Sequence, residues 1–347
     1  HVSIRRQRQM CIRDRLKYML KPPTTTAEVQ AAGVYITNTH IYYVDGSPMV
    51  RDVMFNDGSW HTVVIGAERL GGKSIFALDI TNTENPVFLW QFSDSEMAYT
   101  WQDTFPHPGT LGPIIEEGPD GSPQARWVVF MNGGLSLDSK GQPDNTRGRA
   151  IYALDVENGE KLWEFKNGDT GPDEKSYMGY SIPASVVVID SDTEGHFDTL
   201  FVADLMGQIW RFNVGKVAKK IGGLYTQDCK TYPSSCWTGQ PFFQTPSYLR
   251  IYYQPVVGFD DARKLRAFFG TGDRMNPLSN CHIVDRFYGM KGERVDVASL
   301  ATESDLIDVT PTGTKAPTNA YGWYIRLGDK FTALGMRVLA VPDLFFS

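Results

Sequence analysis

Hydrophobic residues in this chain fall in short runs broken by Gly, Asp and Asn, and the runs repeat. GKSIFALDI (72–80) and GRAIYALDV (148–156) are near copies. Each is followed by a turn and an aromatic run, FLWQF (88–92) and KLWEF (161–165). Each is preceded by a run that starts on Trp and reaches Gly six residues later, WHTVVIG (60–66) and WVVFMNG (127–133). A looser third copy reads ASVVVID (184–190), TLFVADL (199–205) and QIWRF (208–212). The common unit is a strand, a loop, a strand ending in Asp (Asp79, Asp155, Asp204), a short turn and a strand carrying Trp (Trp90, Trp163, Trp210). RAFFGTG (266–272) and RFYGMKG (286–292) predict a fourth unit, and GWYIRLG (322–328) with RVLAVP (337–342) the start of a fifth.

Repeated short strands with an aromatic on the last one are the mark of propeller blades. The 47 residues from Trp163 to Trp210 match a blade period, and the 73 from Trp90 to Trp163 leave room for an inserted loop. The expected fold is therefore all-β, a β-propeller with about five blades' worth of chain. The recurring Trp residues are expected to fill the core between blades. In AIYALDV, Ile151, Ala153 and Asp155 alternate with Tyr152, Leu154 and Val156, which predicts a half-buried strand.

Composition narrows the class. Hydrophobic residues make up 41% of 347, which excludes a disordered chain. No apolar run approaches the roughly 20 residues of a membrane-spanning helix, so no transmembrane segment is expected. With 34 basic and 40 acidic residues, an electrostatic nucleic-acid partner is not expected. The basic charge is uneven: HVSIRRQRQMCIRDR (1–15) holds five Arg and one Asp. Residues 1–30 are expected to lie outside the fold as a foreign or disordered segment, with 31–347 forming a partial propeller. RVLAVPDLFFS (337–347) ends inside an apolar run, which reads as a fragment cut at its C-terminus.

The sharpest chemical signal is DSDTEGHFD at 190–198. Asp190, Asp192, Glu194 and Asp198 stand at relative positions 1, 3, 5 and 9, His196 offers a backbone carbonyl at position 7, and Gly195 permits a sharp turn at position 6. This spacing wraps hard oxygen ligands around one cation, as in the first nine positions of an EF-hand loop. Phe201 stands where an EF-hand carries its bidentate Glu, so the loop is not an EF-hand. Four carboxylates in nine residues repel one another unless a counter-charge binds. Ca²⁺ is the expected ion, Mg²⁺ preferring fewer carboxylates and more water. A solvated acidic turn held by side-chain to backbone hydrogen bonds is the alternative.

Other chemistry is thin. No nucleophile elbow, P-loop or HExxH string occurs, and the six His show no ligand spacing. No catalytic residue is assigned. Cys229 and Cys236 flank KTYPSS, close enough for a small disulfide ring, with two free thiols as the other option.

The chain resembles the C-terminal propeller of the PilY/PilC family of type IV pilus tip adhesins and biogenesis factors. The resemblance is carried by IYYVDGSPMVRDV (41–53), WHTVVIGAERLGGKSIFALDIT (60–81), RAIYALDVENGEKLWEF (149–165), VVVIDSDTEGHFDTLFVADLMGQIWRFNV (186–214), FFGTGDRM (268–275) and RFYGMKG (286–292). It implies a quinoprotein-like propeller, seven-bladed when intact, in an exported bacterial protein of the outer membrane, cell surface or pilus tip. It also implies pilus assembly, retraction control, twitching motility and surface adhesion as roles. Minor pilins or the pilus tip complex, and a host or abiotic surface ligand, are the implied partners. In that family the loop binds Ca²⁺, which makes Asp190, Asp192, Glu194, Asp198 and the His196 carbonyl the implied ligands. Glu194 is longer than the usual ligand there, and Ala67 replaces a usual glycine. A quinone-dependent (PQQ-type) dehydrogenase propeller is the rival, though the acidic residues lie in one local loop. A metal-free structural propeller is the third reading.

Overall fold

The structure is a computed structural model that describes residues 36–37, 40–44, 46–99, 110–168, 178–246, 249–275, 283–293, 300–311, 314–327, 338 and 342. The expectation for residues 1–30 lies outside the described residues, as does most of RVLAVP.

A short pair, β1 (Ile36–Thr37) and β2 (His40–Ile41), precedes sheet I. Sheet I is a meander of β3 (Met49–Met54), β4 (Trp60–Ala67), β5 (Ile75–Asp79) and β6 (Val87–Phe92). Sheet II repeats it with β7 (Thr110–Glu117), β8 (Pro123–Asn132), β9 (Ala150–Asp155) and β10 (Lys161–Lys166). Sheet III starts with β11 (Val187–Ile189), β12 (Thr199–Ala203) and β13 (Gln208–Asn213). A hairpin of β14 (Lys220–Ile221) and β15 (Leu224–Tyr225) interrupts it before β16 (Thr238–Gln244) pairs with β13. Sheet IV contains β17 (Val256–Phe259), β18 (Leu265–Gly270) and β19 (Arg286–Lys291). The chain then places β20 (Ala301–Thr302) parallel to β16 on the edge of sheet III, and β21 (Ile307–Asp308) parallel to β22 (Gly322–Arg326) in sheet IV. Glycines at positive φ make the tight reversals possible, such as Gly159 (73°) between β9 and β10 and Gly207 (80°) between β12 and β13.

Three apolar layers bind the four sheets in series. Ile65, Ala77 and Trp90 of sheet I meet Val129, Tyr152 and Leu154 of sheet II. Ile151, Trp163 and Phe165 of sheet II meet Leu200, Trp210 and Phe212 of sheet III. Phe201, Ile209 and Phe243 of sheet III meet Phe269, Tyr288 and Met290 of sheet IV. Sheets stacked face to face on both sides are propeller blades, so the all-β propeller expectation holds.

Three details differ from the sequence reading. All six residues of β9 are buried, because sheet II has a neighbour on each face, so the expected half-buried alternation becomes two apolar faces. GWYIRLG does not begin a fifth unit: its residues 322–326 form β22, the fourth strand of sheet IV. The third copy is shifted by one strand. The Asp-turn-Trp hairpin is β5–β6 in sheet I and β9–β10 in sheet II, but β12–β13 in sheet III, so Trp210 sits on an inner strand. Trp90, Trp163 and Trp210 nonetheless all fill inter-sheet core.

Candidate metal loop

The acidic segment connects β11 to β12, whose pairing of Ile189 with Thr199 brings the two ends of the loop together. Asp198 N–H donates to the Ile189 carbonyl at 3.2 Å, and the Asp198 carbonyl accepts from Val214 N–H at 2.7 Å. Phe197 anchors the loop on sheet II: its N–H donates to the Pro113 carbonyl at 2.9 Å, and its ring packs against the core between sheets II and III. Gly112 makes room for that ring, since a Cβ there would stand 2.0 Å from Phe197 Cε2.

Backbone N–H groups aim the carboxylates. Asp190 accepts from Glu194 N–H (3.1 Å) and Gly195 N–H (2.6 Å), with Gly195 at φ 93°. Asp192 accepts from Glu194 N–H at 3.2 Å. Asp198 accepts from Ser191 N–H at 3.1 and 3.0 Å and from Asp192 N–H at 3.3 Å. As a result, carboxylate oxygens of Asp190, Asp192 and Asp198 lie within 4.8 Å of one another. The side chains of Glu194 and His196 are not in that group, Glu194 being exposed. Desolvation, the hydrogen bond with Asp190 and the charges of Asp198 and Glu194 together hold the Asp192 carboxyl above the ordinary carboxylate range. The donor set is three converging carboxylates with no nitrogen or sulfur, the chemistry of a hard divalent cation.

A cleft of about 510 Å³ opens beside the loop, lined by Asp192 and by Phe259, Asp260, Asp261 and Arg263 of the β17–β18 turn. Asp260 is already engaged, accepting from Arg266 Nε at 2.8 Å. Sequence reasoning missed this second acidic turn, because nothing local marks it as a neighbour of residues 190–198.

His61 also has more organised surroundings than its isolation in the sequence suggested. Its Nδ1 lies 2.7 Å from Asp79 Oδ2, its Nε2 lies 2.8 Å from Ser59 Oγ, and the ring stacks on Phe55 at 3.9 Å. The Ser59 hydroxyl is donated to Asp57, and Asp79 also caps the following turn through Thr81 at 2.6 Å. These contacts lock the hairpin ends of sheet I. Cys229 and Cys236 are joined in a disulfide with their Cα atoms 5.1 Å apart.

The family described as "PilY1 beta-propeller domain" matches residues 26–276. The type IV pilus biogenesis factor PilY1 of Pseudomonas aeruginosa is 34% identical over 190 residues, which is 53% of this chain and 14% of that protein. A homologue from Xylella fastidiosa is 31% identical over 198 residues, 54% of this chain and 12% of its own length. The chain thus spans about one seventh of the curated relatives it matches. The crystal structure of the P. aeruginosa PilY1 C-terminal domain superimposes with a TM-score of 0.57 at 22% identity, covering 85% of this chain and 65% of that one, and so shares the fold. The family match takes in sheets I and II, sheet III apart from its edge strand β20, and sheet IV through β18, well over half of the chain, and on that ground the chain belongs to the PilY1 beta-propeller domain family.

Proposed function

We propose that this propeller is a non-enzymatic module of an exported type IV pilus biogenesis factor, and that its β11–β12 loop binds Ca²⁺. The observation that carries the metal reading is the convergence of Asp190, Asp192 and Asp198 on one point, arranged by backbone donors. Glu194 and the His196 carbonyl are the remaining candidates for coordination. Bound Ca²⁺ supplies the positive charge that three facing carboxylates lack, and so rigidifies the loop between sheets II and III. The pilus role is supported by the printed names of the relatives, type IV pilus biogenesis factors. The Cys229–Cys236 disulfide suits export to an oxidising compartment. Minor pilins or the tip complex, and a surface ligand, are the partners this reading assigns. Retraction control, twitching and adhesion are the activities it serves.

Calorimetric titration of Ca²⁺ into the wild type, Asp198→Ala and Asp198→Asn tests the loop. Asn keeps an acceptor for Ser191 N–H while removing the charge, so both variants are expected to lose the binding heat. Equal heat from all three proteins sinks the assignment. Complementation of a twitching-deficient deletion strain by the wild type, but not by Asp198→Asn, is the expected cellular result. Full rescue by the variant means that the loop is dispensable for motility.

A further inference from the structure

Strand β12 joins two chemically opposite ends of the molecule. The acidic loop precedes it, and Leu205, just beyond its other end, packs with Leu70, Leu135, Tyr252 and Tyr253 in a fourth apolar cluster. Leu70 belongs to the β4–β5 connection, Leu135 to β8–β9, Leu205 to β12–β13, and the two tyrosines to the linker from sheet III to sheet IV. Tyr99, from the linker between sheets I and II, and Met275, which follows β18, pack against the same cluster. Loops from all four sheets therefore converge there.

Those loops carry cations. Arg69 and Lys73 come from β4–β5, Arg147 from β8–β9, and Arg274 from the segment after β18. The Lys73 Nζ lies 5.3 Å from the Tyr99 ring centroid, and the Arg274 guanidinium carbon lies 5.6 Å from that of Tyr253. Arg274 also donates to the Tyr253 hydroxyl. Asp144 faces Lys73, and Asp273 lies 3.4 Å from Arg250.

Two physical signs distinguish this face from an ordinary basic surface. First, like charges are brought together, with Arg69, Lys73 and Arg274 half-buried and Arg147 exposed. Desolvation and then Arg147 hold the Lys73 ammonium below its usual range, and desolvation and then Arg69 do the same to Arg274. This crowding occurs in a chain with more acidic than basic residues, 40 against 34. Second, Arg69 is held at φ 51°, a left-handed conformation that is unfavourable for a non-glycine residue and clusters at functional sites. An anion bound among these cations offsets the repulsion between them.

We propose that this face binds an anionic glycan, whose carboxylate or sulfate groups are held by Arg69, Lys73, Arg147 and Arg274. The cations are spread over loops of sheets I, II and IV, which fits a ligand with repeated charges better than a single ion. Arginine forks pair with such oxyanions in bidentate fashion. The Tyr253 hydroxyl, pushed up to about 12 by burial, remains a neutral donor beside them. The site stands apart from the acidic loop and does not depend on calcium there.

The test uses the full chain and four probes: a heparin oligosaccharide, an oligogalacturonate, neutral dextran and a single-stranded DNA oligonucleotide. The expected result is salt-sensitive binding of heparin, galacturonate or both, with dextran inert and DNA weaker. Heparin alone identifies sulfate as the recognised group, and galacturonate alone identifies carboxylate. Lys73→Ala/Arg147→Ala is expected to weaken binding by about tenfold or more, whereas the exposed pair Lys230→Ala/Lys315→Ala leaves it unchanged. Arg69→Gln/Arg274→Gln provides a second variant that keeps polar contacts if the first folds poorly. A saturating glycan is also expected to raise the unfolding temperature of the wild type but not of Lys73→Ala/Arg147→Ala or Arg69→Gln/Arg274→Gln. Absence of binding to both glycans, equal loss in the control pair, or tighter binding of DNA overturns the proposal.

Discussion

The indole Nε1 of Trp210 donates to Asp204 Oδ2 at 3.0 Å inside a pocket closed to solvent. Asp204 also accepts from Met206 N–H at 2.9 Å and Gln208 N–H at 3.0 Å, so one carboxylate closes the β12–β13 turn and fixes the Trp that follows. Burial outweighs these donors and pushes the carboxyl up to about 7 from the usual 3.8. A group whose folded pKa lies above its unfolded value binds more protons in the folded state between the two. Its contribution to stability is therefore greatest below about pH 4 and falls as pH rises to about 7. The stability difference between wild type and Asp204→Asn is expected to decline over that window, by at most about 1.4 kcal/mol per pH unit. It should level off above it. Denaturant midpoints at successive pH values check this, and a flat difference would show that Asp204 does not titrate there.

Gly112 and Phe197 are expected to be coupled. Gly112→Ala forces the Phe197 ring out of its place, costing about 1–3 kcal/mol and weakening Ca²⁺ binding through the displaced loop. Shortening the ring in Gly112→Ala/Phe197→Leu should restore part of both losses. Purely additive effects in urea titrations would show that the two residues act separately.

Trp90 and Trp163 hold equivalent places on the last strands of sheets I and II, yet their indole nitrogens differ. Trp90 Nε1 donates across the sheets to the Val156 carbonyl at 2.8 Å, whereas Trp163 Nε1 is buried with no hydrogen-bond acceptor among the described residues. Trp90→Phe is therefore expected to be more destabilising than Trp163→Phe by about 1 kcal/mol, because only the first change orphans a carbonyl. Matched equilibrium unfolding of the two variants measures the gap, and the opposite order would remove the cross-sheet bond as an energetic factor.

The disulfide closes a small ring directly before Trp237, which is buried against Tyr225 at 4.9 Å and Trp163 at 5.1 Å. Reduction, or Cys229→Ser/Cys236→Ser, is expected to cost about 2 kcal/mol from the freed loop entropy. Loss of tryptophan fluorescence packing should accompany it. An unchanged unfolding midpoint would mean that the ring is held by its other contacts.

The parts of this fold that could be read from the chain were those encoded locally. ALDI and ALDV each announce a strand and its capping Asp, and spacing alone places Asp190, Asp192 and Asp198 around one point. What could not be read was which strand pairs with which. QIWRF looks like the last strand of its unit, and only β16, arriving after the β14–β15 insertion, makes it an inner one. In the same way, nothing local in KVAKK (216–220) ties it to sheet II, but Ala218 exchanges backbone hydrogen bonds with Ile115 and Glu117, and Lys219 pairs with Glu117 at 2.8 Å. Asp260 and Asp261 approach the acidic loop only because sheets III and IV stack. Contacts between blades depend on register and stacking, which no local pattern states.

The segment from Ala301 to Asp308 passes from the edge of sheet III to the edge of sheet IV, and hydrogen-bonds to each in parallel register. A 3₁₀ turn at Glu303–Asp305 lies between, with Glu303 accepting from Arg286 at 3.2 Å and from Tyr288 at 2.9 Å. Pulling these two blades apart therefore requires tearing backbone pairs from one side before the apolar seam can open. Under tension the strap would act as a mechanical fuse, with two short pairings that yield first and re-form when the load is released. The breaking force of this seam then depends on how the rim is laced as well as on how much core is buried beneath it.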